Sequence, residues 1–301
     1  MRGLYETPMK SDFTKNVMAA GRLMRGQVMA GCIFAVVLGA QADMKNQQIS
    51  EDEDEAAYAA GLDGEWEAVF FDDCQGDYRD KWFLDGEVAA VRNRGDGMQL
   101  SAGPQPRNDA HHMVLWTQDE FSGDLKIEFD YTRTDFEAIC VNILYIQATG
   151  MGAEPYVEDI SQWSELRAVP AMAMYHDYMN TYHISFAAYP DEQDPSKDYV
   201  RARRYMPMGD HVAEGMGQGL AATDLEPDYF KTGLFTPGQL HHFSIIKKGQ
   251  EIFMKISNDQ QTRYFHWQND KTPAIDHGRI GLRHMWGRSA LYKNFKVSIP
   301  K

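Results

Sequence analysis

Leu125-Lys126-Ile127-Glu128-Phe129-Asp130-Tyr131 alternates apolar and polar residues without a break. Side chains on a strand point alternately to opposite faces, so this stretch has one buried face and one wet one. It predicts a strand in a sheet covered on one side. The reading extends outward. Tyr182 to Tyr189 alternates as well, with Ile184 and Phe186 opposite His183 and Ser185. Ile139 to Gln147 is almost continuously apolar, as expected of a strand buried on both faces. Further strands are predicted over 200–205, 242–247, 251–257, 262–267, 279–286 and 291–298, with turns such as Lys248-Gly249-Gln250 between them. No long amphipathic helix is expected after residue 42. Many short strands at regular spacing predict an all-β fold, an antiparallel β-sandwich of the jelly-roll kind. Two segments, 150–169 and 207–237, break the regularity. Loops of that length form walls or lids, or stay unstructured.

The chain has 301 residues, 43% of them hydrophobic, ample for one large core. Its formal charge of -14 argues against nucleic acid, whose phosphates need a cationic surface. It leaves room for an acidic ligand at a local arginine cluster. Arg22 and Arg25 precede an apolar run from Val28 to Leu38, then Gly39-Ala40-Gln41-Ala42. The run is too short to span a bilayer and reads as a signal peptide over 1–42, so the protein is expected to be exported, with no membrane span. A lipidated Cys32 fits less well, because the apolar run follows it. Residues 43–62 contain Glu51-Asp52-Glu53-Asp54-Glu55 and read as an acidic disordered leader. The jelly-roll domain, expected to be monomeric and carbohydrate-active, then covers 63–301.

Three places carry chemistry-bearing residues. In Val200-Arg201-Ala202-Arg203-Arg204-Tyr205 the strand period puts Arg201, Arg203 and Tyr205 on one face. Paired arginines suit a carboxylate or sulfate, or else salt bridges to Asp or Glu. Met174 to Ile184 reads as a hairpin turning near Tyr178–Asn180, with His176 and Asn180 near the turn and His183 outside the core. A histidine there is a candidate general base or a hydrogen-bonding group for sugar hydroxyls. The closing strands carry Arg283, His284, Trp286, Arg288 and Tyr292, and His266-Trp267 repeats the pattern more weakly. Asn142, Tyr145, Gln147 and Arg204 complete the expected substrate contacts.

Absences narrow the chemistry. Glu128 and Asp130 match two places of a three-carboxylate glucanase strand, but Thr132 takes the third. The doublets His111-His112 and His241-His242 cannot chelate with both rings from one strand. No cofactor is expected, beyond a structural calcium at Asp72-Asp73. Cys74 and Cys140 either pair, as export permits, or simply pack.

Met179 to Ala188, Arg201 to Tyr205, Gly233-Leu234-Phe235-Thr236-Pro237-Gly238 and Gly278 to Phe295 resemble the YesU-like family of jelly-roll proteins. The resemblance covers most of 66–299. It implies a concanavalin A-like lectin/glucanase fold and an association with acidic polysaccharides. With the arginine strand, it leads to the expectation of a polysaccharide lyase acting on a uronic-acid-containing glycan. His183 would be the base, Arg201 and Arg203 would neutralise the carboxylate, and Tyr205 would protonate the leaving oxygen. The alternatives are a non-catalytic carbohydrate-binding protein on the same face, or a glycoside hydrolase using carboxylates such as Glu165 and Asp177.

Overall fold

The computed structural model describes residues 51–188, 198–207 and 219–301. The predicted signal peptide, Tyr189 and the glycine-rich part of 207–237 lie outside them. Among the described residues the chain forms two antiparallel sheets of eight strands each, packed as a sandwich. The first sheet runs β14 (Thr262–Gln268), β13 (Glu251–Ser257), β12 (Leu240–Lys248), β7 (Leu125–Arg133), β16 (Ser289–Pro300), β4 (Gly97–Ser101) and β3 (Ala90–Arg94), with β1 (Trp66–Asp72) also on β16. The second runs β11 (Asp224–Phe230), β10 (Tyr199–Tyr205), β9 (Met179–Phe186), β8 (Asn142–Gly150), β15 (His277–His284), β5 (Met113–Thr117) and β2 (Trp82–Asp85), with β6 (Phe121–Ser122) on β15.

The alternation in β7 does what its pattern dictates. Leu125, Ile127, Phe129 and Tyr131 enter the inter-sheet core with Leu144 and Ile146 of β8, Ile184 and Phe186 of β9, and Ile280 and Leu282 of β15. Tyr131 meets Phe186 edge-on, with ring centroids 5.4 Å apart. The strand predicted from Ile139 starts later, at Asn142, because Asp135 and Arg288 hold 134–141 as a loop. Cys74 and Cys140 are both buried free thiols.

Two expectations fail for one reason, which is that packing recruits segments without strand periodicity. Residues 51–62, within the expected disordered leader, form helix α1. Its acidic residues sit at the helix N-terminus, where the macrodipole favours them. Asp54, Tyr58 and Gly61 share one buried face, and Tyr58 donates to Ser244 Oγ at 2.8 Å. Gly61 is required there, because a Cβ would meet the Phe253 ring at 2.7 Å. The hairpin expected over 174–184 is instead helix α2 (Met172–Tyr178) running directly into β9. Unbranched methionines and Ala173 favour the helix, and Met172 and Tyr175 fall on one face.

The expected loop 150–169 is also ordered. It contains a 3-10 helix (Ile160–Arg167), and with α2 it lies across the outer face of the second sheet. Ile160, Trp163, Arg167 and Tyr175 are buried against that face. The expected loop 207–237 includes β11, whose strand signal Pro227 interrupts.

Candidate functional site

Strand register builds one row across the second sheet. Arg203 of β10 lies opposite His183 of β9, His183 opposite Tyr145 of β8, Tyr145 opposite Gly281 of β15, Gly281 opposite Trp116 of β5, and Trp116 opposite Phe83 of β2. Because side chains alternate, all six share the outer face. Gly281 is dictated by the close approach of Trp116, whose ring a Cβ would meet at 2.4 Å. Trp116, Tyr145 and Tyr175 of α2 form a stack, with centroids 5.3 Å apart for Trp116–Tyr145 and 5.7 Å for Tyr145–Tyr175.

Beside this stack lies a polar cluster. The rings of His183 and Tyr205 are 4.8 Å apart, and His176 of α2 stands edge-on to Tyr205 at 5.1 Å. The Arg283 guanidinium sits 4.5 Å from the Tyr175 ring and donates to Pro170 O (2.8 Å) and to His112 Nδ1 (2.9 Å). Among the described residues, both His183 nitrogens, Tyr205 Oη, and Arg283 Nε and Nη1 have no hydrogen-bond partner. All three side chains are at most 1% exposed. Burial first, then the Arg203 guanidinium, holds His183 well below the usual histidine value, so its imidazole is neutral. Burial pushes the Tyr145 hydroxyl up to about 12 and also raises Tyr205 well above the usual tyrosine value.

His183 does leave the inter-sheet core, as its parity requires, but the face it reaches is covered rather than wet. The arginine pair takes the salt-bridge reading. Arg201 pairs with Asp228, and Arg203 Nε donates to Asp224 Oδ1 at 2.6 Å, both carboxylates on β11. The structure therefore brings together Arg201, Arg203, Tyr205, His183, Tyr145, His176 and Arg283.

Other candidates are placed elsewhere. Asn142 points between the sheets and donates to Tyr131 Oη at 2.7 Å. Gln147 is buried and donates to the carbonyls of Phe121, Gly123 and Asp276. His284 and Tyr292 meet in the core at 2.9 Å, and Trp267 is buried with its indole donating to Pro227 O. Arg204 is buried at a strand end, donating to the carbonyls of Tyr205 and Pro273, with its guanidinium lowered to about 10 by burial. Arg288 is fully buried against Asp135. His266 is on the first sheet, stacked on Phe253 and paired with Glu251. Asn180 is the second residue of β9, half-buried, and Trp286 is half-buried in the β15–β16 turn. Asp72 accepts from Trp82 Nε1 and the Cys74 N–H, and Asp73 from the Gln75 N–H. Among the described residues no cluster of three His, Cys, Asp or Glu could hold a metal, and no helix is long and apolar enough to cross a membrane.

Sequence reading missed the groups that close the face. Asp85 of β2 is buried and accepts from Arg167 Nε (2.6 Å), Trp116 Nε1 (2.7 Å) and Tyr175 Oη (3.1 Å), pinning both halves of the cover to the sheet. Asp85→Asn keeps the shape but removes the charge that Arg167 faces. It should cost about 2 kcal/mol and raise amide exchange over 160–178 more than elsewhere. Exchange that rises uniformly would show that Asp85 does not pin the cover.

A solved Bacillus subtilis structure described as a protein of unknown function with a galectin-like fold superposes with a TM-score of 0.56 at 15% identity, covering 79% of this chain and 100% of that one. The carbohydrate-binding module CBM66 from Bacillus subtilis gives 0.42 at 14% identity, over 73% of this chain and 96% of that one. Peanut lectin gives 0.48 at 9% identity, over 79% and 100%. No curated protein matches the chain in sequence. Residues 73–297, which span the sandwich from the end of β1 into β16, match the family described as domain of unknown function DUF1961, and the chain belongs to that family.

Proposed function

We propose that this is an exported carbohydrate-binding protein whose ligand carries carboxylate or sulfate groups, held at the cluster of Arg283, Tyr205 and His183, which α2 covers in this structure and which the ligand enters when α2 lifts from the sheet. One observation carries the reading. Among the described residues, a buried guanidinium, a buried phenol and a buried neutral imidazole stand within one cluster with unpartnered polar atoms. Among the described residues no carboxylate pairs with Arg283. Each unmet buried group costs about 1–3 kcal/mol, and an anion with several acceptor oxygens would meet most of them at once. The galectin-like sandwich and the resemblance to YesU-like proteins favour a sugar as the carrier of that anion.

Elimination on a uronate is the second reading, supported by the contact of the neutral His183 ring with Tyr205. Binding is better supported. Arg201 and Arg203 already have Asp228 and Asp224 as partners, and the neighbouring arginines weaken His183 as a base.

Titration calorimetry of the purified chain with polygalacturonate, alginate, ulvan and heparin tests the proposal. At least one should bind, and Tyr205→Phe should weaken it about tenfold, the worth of one hydrogen bond to a charged group. If none binds, or if Tyr205→Phe and Arg283→Gln both bind like the parent, the reading fails. A rise in unsaturated-uronate absorbance that His183→Ala abolishes would move the assignment to a lyase.

A further inference from the structure

The cluster lies covered under α2, but the same sheet face is open at its other edge, along the 3-10 helix. Two depressions of about 300 and 340 Å³ lie there. The Arg279–Asp159 ion pair (2.9 Å) links them. The first is lined by the half-exposed Phe83 ring with Gln118 and Ser164, the second by Gln162, Glu158 and His277.

The charges here exclude the ligand suited to the covered cluster. Arg279 is saturated by Asp159, Glu120 and the carbonyls of Thr117 and Gln118, so it offers nothing to an anion. His277 is bracketed by Glu158 (2.8 Å) and Asp276 (2.7 Å). What remains is the part of the Phe83 ring that the Arg279 guanidinium, 5.8 Å from its centroid, leaves uncovered, with a serine hydroxyl, amide oxygens and carboxylate acceptors. Aromatic rings pack against the C–H face of a pyranose, and such acceptors take its hydroxyl protons.

We propose that this cleft is a second saccharide subsite, for an uncharged, hydroxyl-rich sugar unit. The proposal rests on the sugar-binding reading and deepens it. Phe83 is four strands from His183 in the cross-sheet row, about 19 Å at ~4.8 Å per strand. The ligand is then a glycan with both acidic and neutral residues.

The test is saturation-transfer NMR and calorimetry on the full chain with cellotetraose, xylotetraose and galactotetraose, alongside the acidic glycans above. At least one neutral probe should bind. Ser164→Trp, which fills the cleft, and Phe83→Leu, which removes the ring face, should each weaken it by about tenfold. Should Phe83→Leu unfold, Ser164→Trp on the half-exposed helix still decides. Neutral probes that do not bind, or that bind Ser164→Trp as well as the parent, overturn the proposal. Acidic binding that persists without neutral binding overturns the cleft alone, and loss of both classes overturns both readings.

Discussion

Lowering the pH from 7 to about 4.5 should unfold this protein, through histidines its core holds neutral. His112 is held at about 3, His241 and His284 at about 4, and His183 well below the usual value. Burial is the largest cause in each. Arg283 adds to it for His112, Arg288 for His284 and Arg203 for His183. All four are at most 2% exposed. Their folded values lie below the unfolded value of about 6.5, so the unfolded chain takes up protons that the folded chain refuses. Stability is therefore complete above about pH 6.5 and falls as pH drops toward about 4. Each group contributes about 1.4 kcal/mol per pH unit, or about 5 kcal/mol per unit for four, against a typical total of about 5–15 kcal/mol. His277 has the opposite sign. Its value is raised by Asp276 and Glu158, so its contribution is present below its unfolded value and lost as pH rises through the folded one. It is partly exposed, and solvent screens it. Urea unfolding at pH 7, 6 and 5 measures the slope, and His183→Gln should remove one proton's share. A flat urea midpoint over that range would falsify the claim.

Asp135→Ala should be the most destabilising single substitution in the loop that closes one end of the sandwich. Asp135 Oδ1 accepts from Arg133 Nε (2.9 Å) and the Glu137 N–H (3.0 Å), and Oδ2 from Arg288 Nε (3.1 Å) and the Ser289 N–H (2.8 Å). Burial alone would raise its carboxyl, but Arg288, the Ser289 N–H and Arg133 together hold it below the usual range. Arg133 and Arg288 are themselves 2% and 0% exposed. Removing the carboxylate leaves two buried guanidinium groups facing each other. Breaking a buried pair costs about 3–5 kcal/mol, which lowers the midpoint of a domain this size by roughly 10 °C. Arg288→Met, which takes away one of the two cations, should cost less than Asp135→Ala. The opposite order in calorimetric melting would show that the charge imbalance is not what matters.

The legible part of the site was its face. Parity alone put Arg201, Arg203 and Tyr205 together, and His183 opposite Ile184, because a strand leaves a side chain two directions to point. Residue type misled where a functional-looking side chain has a packing role. His284 and Tyr292 satisfy each other in the core, and Arg288 neutralises a loop carboxylate. A sequence does not say whether an arginine meets a ligand or an aspartate that pairing brings from another strand, as Asp224 and Asp228 are brought to β10. The cover could have been suspected from Met172 and Tyr175 at helical spacing, and α1 from Asp54, Tyr58 and Gly61.

By itself, then, the chain determined the two-sheet sandwich, the strands around β7 and the membership of each face, because period-two alternation is local and survives any tertiary arrangement. Tertiary structure decided which face stays wet. The 3-10 helix and α2 carry little periodic signal of their own, and they bind the second sheet through Asp85, Trp116 and Tyr145, residues contributed by three different strands. That packing turns the outward His183 and Tyr205 into buried groups, without hydrogen-bond partners among the described residues, and leaves the open edge to Phe83 and Ser164. Burial depends on what lies above a face, and here that is a segment whose position only long-range contacts define.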